Sequence, residues 1–230
     1  MKSLTSVAGA GITALAVSLA LVGCGSDSST EADNSTVTAS AEGETSTTER
    51  PEPAPPASPD ETIQDYIVKN GLRESSVSPG DAGSPTVNLP VPPGWQRRDD
   101  LPEAPYGAFF YPTSAVPANP PRILVLMSEL TGDVDPNDLL QYAPGELRGM
   151  PGFVPTNEGS RSQLMGFESA QVAGTYLAGG RNGVVAQNTI VIPADDGAFV
   201  LQLNAYADET EAGIVSQGIQ AFDQQMAIIP

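Results

Sequence analysis

Three segments in the last third of the chain have strand-type sequence and follow one another through short turns. They span residues 167–176, 184–192 and 199–206. Arg181-Asn182-Gly183 and Asp195-Asp196-Gly197 separate them, and these residue types tolerate the positive φ angles that tight hairpins require. Consecutive strands joined by hairpins pair in the antiparallel sense. The sequence therefore predicts an antiparallel meander of three long strands.

The third of these segments alternates two kinds of side chain, which predicts two different faces for the sheet. One face is apolar and the other is mixed, with two amides and one phenol. The apolar face carries Phe199, Leu201, Leu203 and Ala205, and the mixed face carries Val200, Gln202, Asn204 and Tyr206. Further strands are predicted at 86–89, 107–111 and 123–127.

Three helices are predicted around these strands. The first begins after an N-cap at Thr62, with Asp65 three residues later, and ends at Gly71. The second begins at Asp135-Pro136, and Pro144-Gly145 is expected to kink or divide it. The third spans 209–226 and carries apolar residues at spacings of three and four. Helices around an antiparallel sheet indicate an α+β fold, here an α/β/α sandwich over residues 61–230.

The N-terminus has the pattern of a lipoprotein signal peptide. An apolar run at 7–22 leads into Leu21-Val22-Gly23-Cys24, in which small residues precede the one cysteine of the chain. This lipobox predicts cleavage of residues 1–23 and acylation of Cys24 by diacylglycerol. An uncleaved membrane anchor is the alternative, but the run is short and its flank is only weakly basic. We expect a chain anchored by lipid to the outer face of the plasma membrane, with partial release from the membrane left open.

Residues 24–60 are predicted to form a disordered, acidic stalk between the lipid and the domain. Serine, threonine and proline are frequent there, and large apolar residues are nearly absent. Such a composition cannot form a hydrophobic core.

Charge and composition exclude several functions. The chain has 10 Lys and Arg against 28 Asp and Glu, a net charge of −18, and no histidine. A negative field of this size repels nucleic acid. Without histidine there is no Ser-His-Asp or Cys-His catalysis and no imidazole metal site. We expect a monomer that is not an enzyme and needs no cofactor or metal.

One segment resembles the start of a calcium-binding loop. Asp133, Asp135 and Asn137 have the spacing of its first ligands. The sixth position is Asp138, where the loop needs glycine, and the twelfth is Pro144, where it needs glutamate. Capping of the second helix is the better interpretation.

Two pairs of adjacent carboxylates invite comparison with glycosidases, which use two acidic side chains. The pairs are Asp99-Asp100 and Asp195-Asp196, and both lie in loop-like sequence. Adjacent residues point apart, so solvated loop charge is the better interpretation. A hydrolase acting on wall sugars therefore ranks last among the functions considered.

The remaining candidates for a binding site are aromatic. Aromatic side chains can line an apolar cleft with polar rims, suited to a lipid or glycolipid, but core packing also explains most of them. The candidates are Trp95, Phe109, Tyr111, Tyr142, Phe153, Tyr176 and Tyr206.

Long stretches of the sequence resemble the mycobacterial LpqN/LpqT lipoproteins. The resemblance rests on residues 85–95, 130–136, 142–147, 151–153, 187–197 and 200–205, and it extends over nearly all of 65–230. It implies a fold like that of the Mog1/PsbP group and a place in the mycobacterial cell envelope. It also implies an accessory role beside RND-type transporters that export trehalose-linked mycolate lipids, and it brings no catalytic motif.

Two functions stay open on this basis. The first is a non-catalytic binding module for a trehalose glycolipid or its transporter. The alternative is a surface-exposed or shed lipoprotein that engages host or envelope proteins through a sheet edge or acidic face, without a lipid ligand. An apolar cleft in the domain favours the first, and a closed domain favours the second.

Overall fold

The computed structural model describes residues 58–156 and 159–230. The predicted signal peptide, Cys24 and nearly all of the predicted stalk lie outside these residues. The helices are α1 (Ile63–Lys69), α2 (Pro136–Arg148) and α3 (Ala212–Gln225), with a 3₁₀ turn at Glu209–Glu211 before α3. The strands are β1 (Arg73–Ser76), β2 (Thr86–Asn88), β3 (Gln96–Arg98), β4 (Gly107–Phe110), β5 (Arg122–Thr131), β6 (Val154–Pro155), β7 (Ser160–Leu164), β8 (Phe167–Ala178), β9 (Arg181–Ala194), β10 (Gly197–Asp208) and β11 (Ala227–Ile229).

The described part of the chain forms one large antiparallel sheet and one small one. The large sheet has the order β3-β4-β5-β10-β9-β8-β6, with β1 paired to β5 and β7 paired to β8. Strands β2 and β11 form the small sheet. The meander predicted from the sequence is confirmed as β8-β9-β10, and the α+β fold class is confirmed with it.

Helices cover both faces of the large sheet, as the alternation in β10 predicts. On one face, Phe199 and Leu203 are buried in a cluster with Phe222 of α3. On the other, Val200 is buried with Ile63 of α1 and Leu139 of α2. The described helices include none with both the length and the apolar character needed to cross a bilayer.

The turn between β8 and β9 differs from the prediction. It lies at Gly179 and Gly180, whose φ angles are +57° and +83°, while Arg181, Asn182 and Gly183 belong to β9. The predicted turn at Arg181-Asn182-Gly183 is therefore wrong. Two successive glycines adopt positive φ without steric cost, which lets both strands extend further and pair up to Ala178 and Arg181.

Strand β7 is absent from the sequence-based prediction. Its first four residues are exposed, so it lacks the apolar alternation that marks a half-buried strand. It exists because a tight turn at Met165-Gly166, with φ angles of +53° and +88°, folds it back onto β8. Pairing with an existing strand thus compensates for weak local sequence.

Helix α2 runs without interruption through Pro144, so the expected division is wrong. Gly145, the residue after this proline, packs closely against the segment before α1. A Cβ atom at Gly145 would collide with the backbone carbonyl of Glu61, just before α1. Glycine therefore allows the two segments to approach closely, and this packing stabilises α2 around the proline. The capping box of α1, with Thr62 and Asp65, is confirmed.

Candidate ligand cavity between helix α3 and the sheet

Helix α3 lies toward one side of its sheet face. It packs against β10 and β5. Gly218 permits this position, because a Cβ there would come within 2.8 Å of the Trp95 ring and 3.0 Å of Ile123. Phe222 meets Phe109 of β4 edge to face, with ring centroids 5.0 Å apart. On this face of the sheet, β8 and β9 therefore lie to one side of α3, and the helix does not cover them.

A cavity of about 570 Å³ occupies this space. Small side chains form much of its floor, and Leu203 adds apolar surface. On the α3 side, the polar lining residues are exposed, whereas the apolar ones are half-buried or buried. The floor includes Ala173, Ala186, Leu203 and Ala205, and the helix wall includes Ser216, Gln217, Gln220, Asp223, Ile219 and Phe222.

The helix wall follows from the sequence of α3. Ser216, Gln220 and Asp223 are spaced by four and three residues, which places them on one flank of a helix. Val215 and Phe222 lie on the buried side and belong to the core cluster. The same helix therefore presents an apolar stripe to the core and a polar edge to the cavity.

Asn188 places a polar side chain in the cavity floor. It pairs with Leu203 of β10 and Gln171 of β8 and so shares their face of the sheet. It is 7 % exposed, and its Oδ1 has no hydrogen-bond partner among the described residues. Leaving such an acceptor unsatisfied costs about 1–3 kcal/mol. A donor on a bound molecule would recover this free energy.

Among the described residues that line the cavity, only Asp223 has a charged side chain. Desolvation by the surrounding protein raises the pKa of its carboxyl above the usual value. A site with no lining Lys or Arg offers nothing to balance a phosphate or carboxylate ligand. The lining instead suits a neutral molecule with hydroxyl groups and apolar surface.

The seven aromatic residues predicted as a cleft are not brought together. Three lie in the core beneath α3, one lies between α1 and α2, and three lie near the end of α2. These are, in that order, Trp95, Phe109 and Tyr111, then Tyr142, then Phe153, Tyr176 and Tyr206. None of them lines the cavity within the described residues. The seven residues therefore do not form one cleft in the described structure, and the cavity is lined instead by alanines and amides. The sequence signal for this cavity was the polar flank of α3.

The acidic clusters have the structural roles that the sequence favoured. Asp135 caps α2, and its Oδ1 accepts hydrogen bonds from the backbone N–H groups of Asn137 at 2.7 Å and Asp138 at 3.2 Å. Asp99 forms an exposed ion pair with Arg97 at 2.7 Å. Asp100 pairs with Arg98 at 2.9 Å.

Comparison with known proteins places the chain in a family. Residues 59–229 match the family model described as Probable lipoprotein LpqN. The chain belongs to the LpqN family. It is 44 % identical over 174 residues to lipoprotein LpqN of Mycobacterium tuberculosis, which covers 76 % of each chain. It is 26 % identical over 178 residues to lipoprotein LpqT of Mycobacterium leprae, covering 75 % of this chain and 79 % of that one.

A solved structure supports the same assignment. The crystal structure of Mycobacterium tuberculosis LpqN, described as involved in cell envelope biogenesis, matches with a TM-score of 0.72 and 44 % identity. The match covers 75 % of this chain and 100 % of that chain. The Ran-binding protein Mog1p of Saccharomyces cerevisiae matches with a TM-score of 0.38 and 17 % identity over 66 % of this chain. The resemblance to LpqN/LpqT lipoproteins seen in the sequence is confirmed.

Proposed function

We propose that this LpqN-family lipoprotein is a non-catalytic binding protein for a neutral glycolipid of the trehalose-mycolate type. The cavity between α3 and the sheet is the observation that carries the proposal. It combines an apolar floor with a wall of amides and one unpartnered buried acceptor. The family resemblance supports a role beside an RND-type transporter that exports such lipids.

The polar wall fits sugar hydroxyls. Each carboxamide both donates and accepts hydrogen bonds, and each hydroxyl of a sugar does the same. Gln217 and Gln220 lie on the helix side of the cavity, and Asn188 lies in the floor. A hydroxyl that donates to Asn188 Oδ1 removes the cost of that unpartnered oxygen.

The apolar floor fits an acyl chain. Ala173, Ala186 and Ala205 leave space above the sheet that larger side chains would fill. Burial of hydrocarbon against such a surface contributes about 25 cal/mol per Å². Binding at this site therefore depends on the absence of side-chain volume at these three positions.

The lining offers little for glycoside hydrolysis. That reaction ordinarily uses two carboxyl groups facing one site. Asp223 is the one carboxylate among the described residues that line the cavity. This supports holding a glycolipid rather than cleaving it.

The proposed location is the outer face of the plasma membrane, through acylation of Cys24. The family is one of lipoproteins, and its Mycobacterium tuberculosis member is described as involved in cell envelope biogenesis. An anchored domain of this kind meets envelope lipids where they leave the membrane. The presence of an open cavity favours this function over the alternative of a protein-interaction lipoprotein without a lipid ligand.

Calorimetric titration of the full chain carrying Cys24→Ser with a trehalose monoester tests the proposal. Ala186→Trp should abolish binding, because the indole fills the cavity above β9. Val68→Trp is the matched control, since Val68 is 72 % exposed on α1, across the sheet from the cavity. Saturable binding that is equal in all three proteins, or no binding by the parent chain, contradicts the proposal.

A further inference from the structure

Three large apolar side chains lie outside the core on the α1 and α2 face of the large sheet. Helix α2 packs against β8 and β9, and the sheet continues beyond them through β10 and β5 to β4 and β3. Phe110, Leu124 and Leu126 lie on that far part of the face and are half-buried. Among the described residues, they neither belong to a core cluster nor pack against one. They form an apolar patch beside α2, on the face opposite the cavity.

Antiparallel register arranges this patch in rows that cross four strands. The first row runs from β10 through β5 and β4 to β3, and it holds Tyr206, Arg122, Phe110 and Gln96 in that order. The Arg122 guanidinium lies over the Tyr206 ring, 4.8 Å from its centroid. Within the described chain Arg122 has no carboxylate partner. The row therefore places an arginine without an ion pair beside a half-buried phenyl ring.

The second row crosses the same strands in the same order. It holds Asn204, Leu124, Ala108 and Arg98. Ala108 is buried and has the shortest side chain of the four. The row therefore projects least at β4, between Leu124 and Arg98.

Both rows are complementary to themselves when the order of strands is reversed. A twofold axis that runs along the strands between β5 and β4 exchanges the first residue of each row with the last, and the second with the third. In the first row, Arg122 then faces Phe110 of the second copy, which is a favourable cation–π pair. In the second row, Leu124 faces Ala108 of the second copy, where the row projects least. The same axis carries α2 of the second copy past β3, so the two helices do not collide.

Charge also favours contact between two copies at this patch. The chain has a net charge of −18, so two copies repel one another in most orientations. The eight residues of the two rows include no carboxylate. Of their two arginines, Arg98 already pairs with Asp100 at 2.9 Å. The patch therefore lets two acidic chains meet without bringing their carboxylates together.

We propose that this patch is the interface of a homodimer, in which two chains pack β3, β4, β5 and β10 face to face about that axis. The interface is isologous, because each residue and its counterpart exchange roles. Four strands about 4.8 Å apart, over about 20 Å of their length, give roughly 400 Å² on each copy. This is about half of a standard interface, so the dimer is weak in solution. The proposal does not involve the cavity, and it differs from the monomer expected from the sequence.

Pairs of charged variants of the full Cys24→Ser chain test the dimer, because Leu124 lies beside the axis and next to its own copy. Sedimentation equilibrium from about 10 μM to about 1 mM should show the parent associating. Leu124→Lys and Leu124→Asp should each weaken self-association by roughly tenfold or more, and an equal mixture of the two should associate again. Val68→Lys and Val68→Asp, at a 72 % exposed site on α1, should behave like the parent.

Two results of this experiment overturn the proposal. One is a parent chain that stays monomeric over the whole concentration range. The other is a mixture of the Leu124 variants that associates no more than either variant alone. Thermal melting of each variant verifies that it is folded.

Oxidative cross-linking gives a second readout that needs no charged substitution. The Cys24→Ser chain has no other cysteine, so Leu124→Cys introduces a single thiol. It should form a disulfide-linked dimer faster than Val68→Cys does, although Val68 is the more exposed of the two positions. Cross-linking that is no faster at Leu124 than at Val68 overturns the proposed interface.

Discussion

The two faces of the large sheet bury similar amides but use them differently. On the α1 and α2 face, Gln187 Nε2 donates to Glu146 Oε2 at 2.7 Å and to Asn204 Oδ1 at 3.0 Å. Gln202 Nε2 donates to the same Glu146 oxygen at 3.1 Å. On the α3 face, Asn188 Oδ1 has no partner within the described chain.

The volumes on the two faces differ accordingly. The crevice beside α1 measures about 140 Å³, against about 570 Å³ for the cavity beside α3. Both faces have polar side chains in their sheets, and the α1 and α2 face also keeps unpartnered atoms at Gln187 Oε1 and Thr189 Oγ1. A buried polar group therefore indicates a ligand only where the structure also provides space for one.

The closed face should be the more sensitive to added volume. Gly145→Ala places a Cβ against the carbonyl of Glu61, and we expect a loss of about 3 kcal/mol in the free energy of unfolding. Gly213→Ala is the control, because nothing lies within 4 Å of its Cβ position in α3. That variant should gain up to about 1 kcal/mol from helix propensity. Urea denaturation measures both, and equal stabilities would show that the approach of α2 to Glu61 is not tight.

Removing one amide side chain from each face of the sheet should show which amide stabilises the fold and which one binds the ligand. Gln187→Leu leaves Asn204 Oδ1 without its donor and should lower the free energy of unfolding by about 2 kcal/mol. Asn188→Leu removes an oxygen that already lacks a partner, so stability should change by less than about 1 kcal/mol.

Titration with a trehalose monoester completes this comparison. Binding should weaken in Asn188→Leu and persist in Gln187→Leu. A large loss of stability in Asn188→Leu would mean that its amide supports the fold rather than the ligand.

The smallest expected effect concerns acid stability at the edge of both faces, where β10 ends. Hydrogen bonds from Thr210 and then Arg181 lower the pKa of the Asp208 carboxyl to about 2. Because this pKa lies below that of an unfolded aspartate, the stabilisation is present above about pH 4 and is lost as the pH falls toward 2. In Asp208→Asn, the melting temperature should therefore change less with pH between about pH 4 and pH 2 than it does in the parent chain. If the thermal stability of Asp208→Asn depends on pH as that of the parent does, carboxylates other than Asp208 cause the acid sensitivity.

Local sequence rules predicted the elements whose stabilising contacts are themselves local. The capping box at Thr62 and Asp65 and the N-cap at Asp135 are short-range interactions, and both are present. The meander followed from three strand-type segments separated by short turn-forming stretches, and it is present as β8, β9 and β10. These features need no knowledge of distant residues.

The sequence did not point to the cavity beside α3, because each of the residues that line it is ordinary within its own segment. Ala173, Ala186 and Ala205 come from three strands, and each is unremarkable in its own segment. Aromatic residues were the more conspicuous signal, but packing distributed them over three clusters. The alanines and Asn188 come together through the pairing register of β8, β9 and β10, which could not be derived from the sequence.

The sequence by itself determined the fold class and the order of the helices and the long strands, because periodicity and capping act over a few residues. The family followed separately, from the resemblance of long residue strings to the LpqN/LpqT lipoproteins. Tertiary structure decided the continuity of α2 through Pro144 and the position of α3 beside β9. These outcomes depend on which distant surfaces meet and how much volume lies between them. The cavity is such an outcome, since its space arises between a helix held by Trp95, Ile123 and Phe109 and a floor of small side chains.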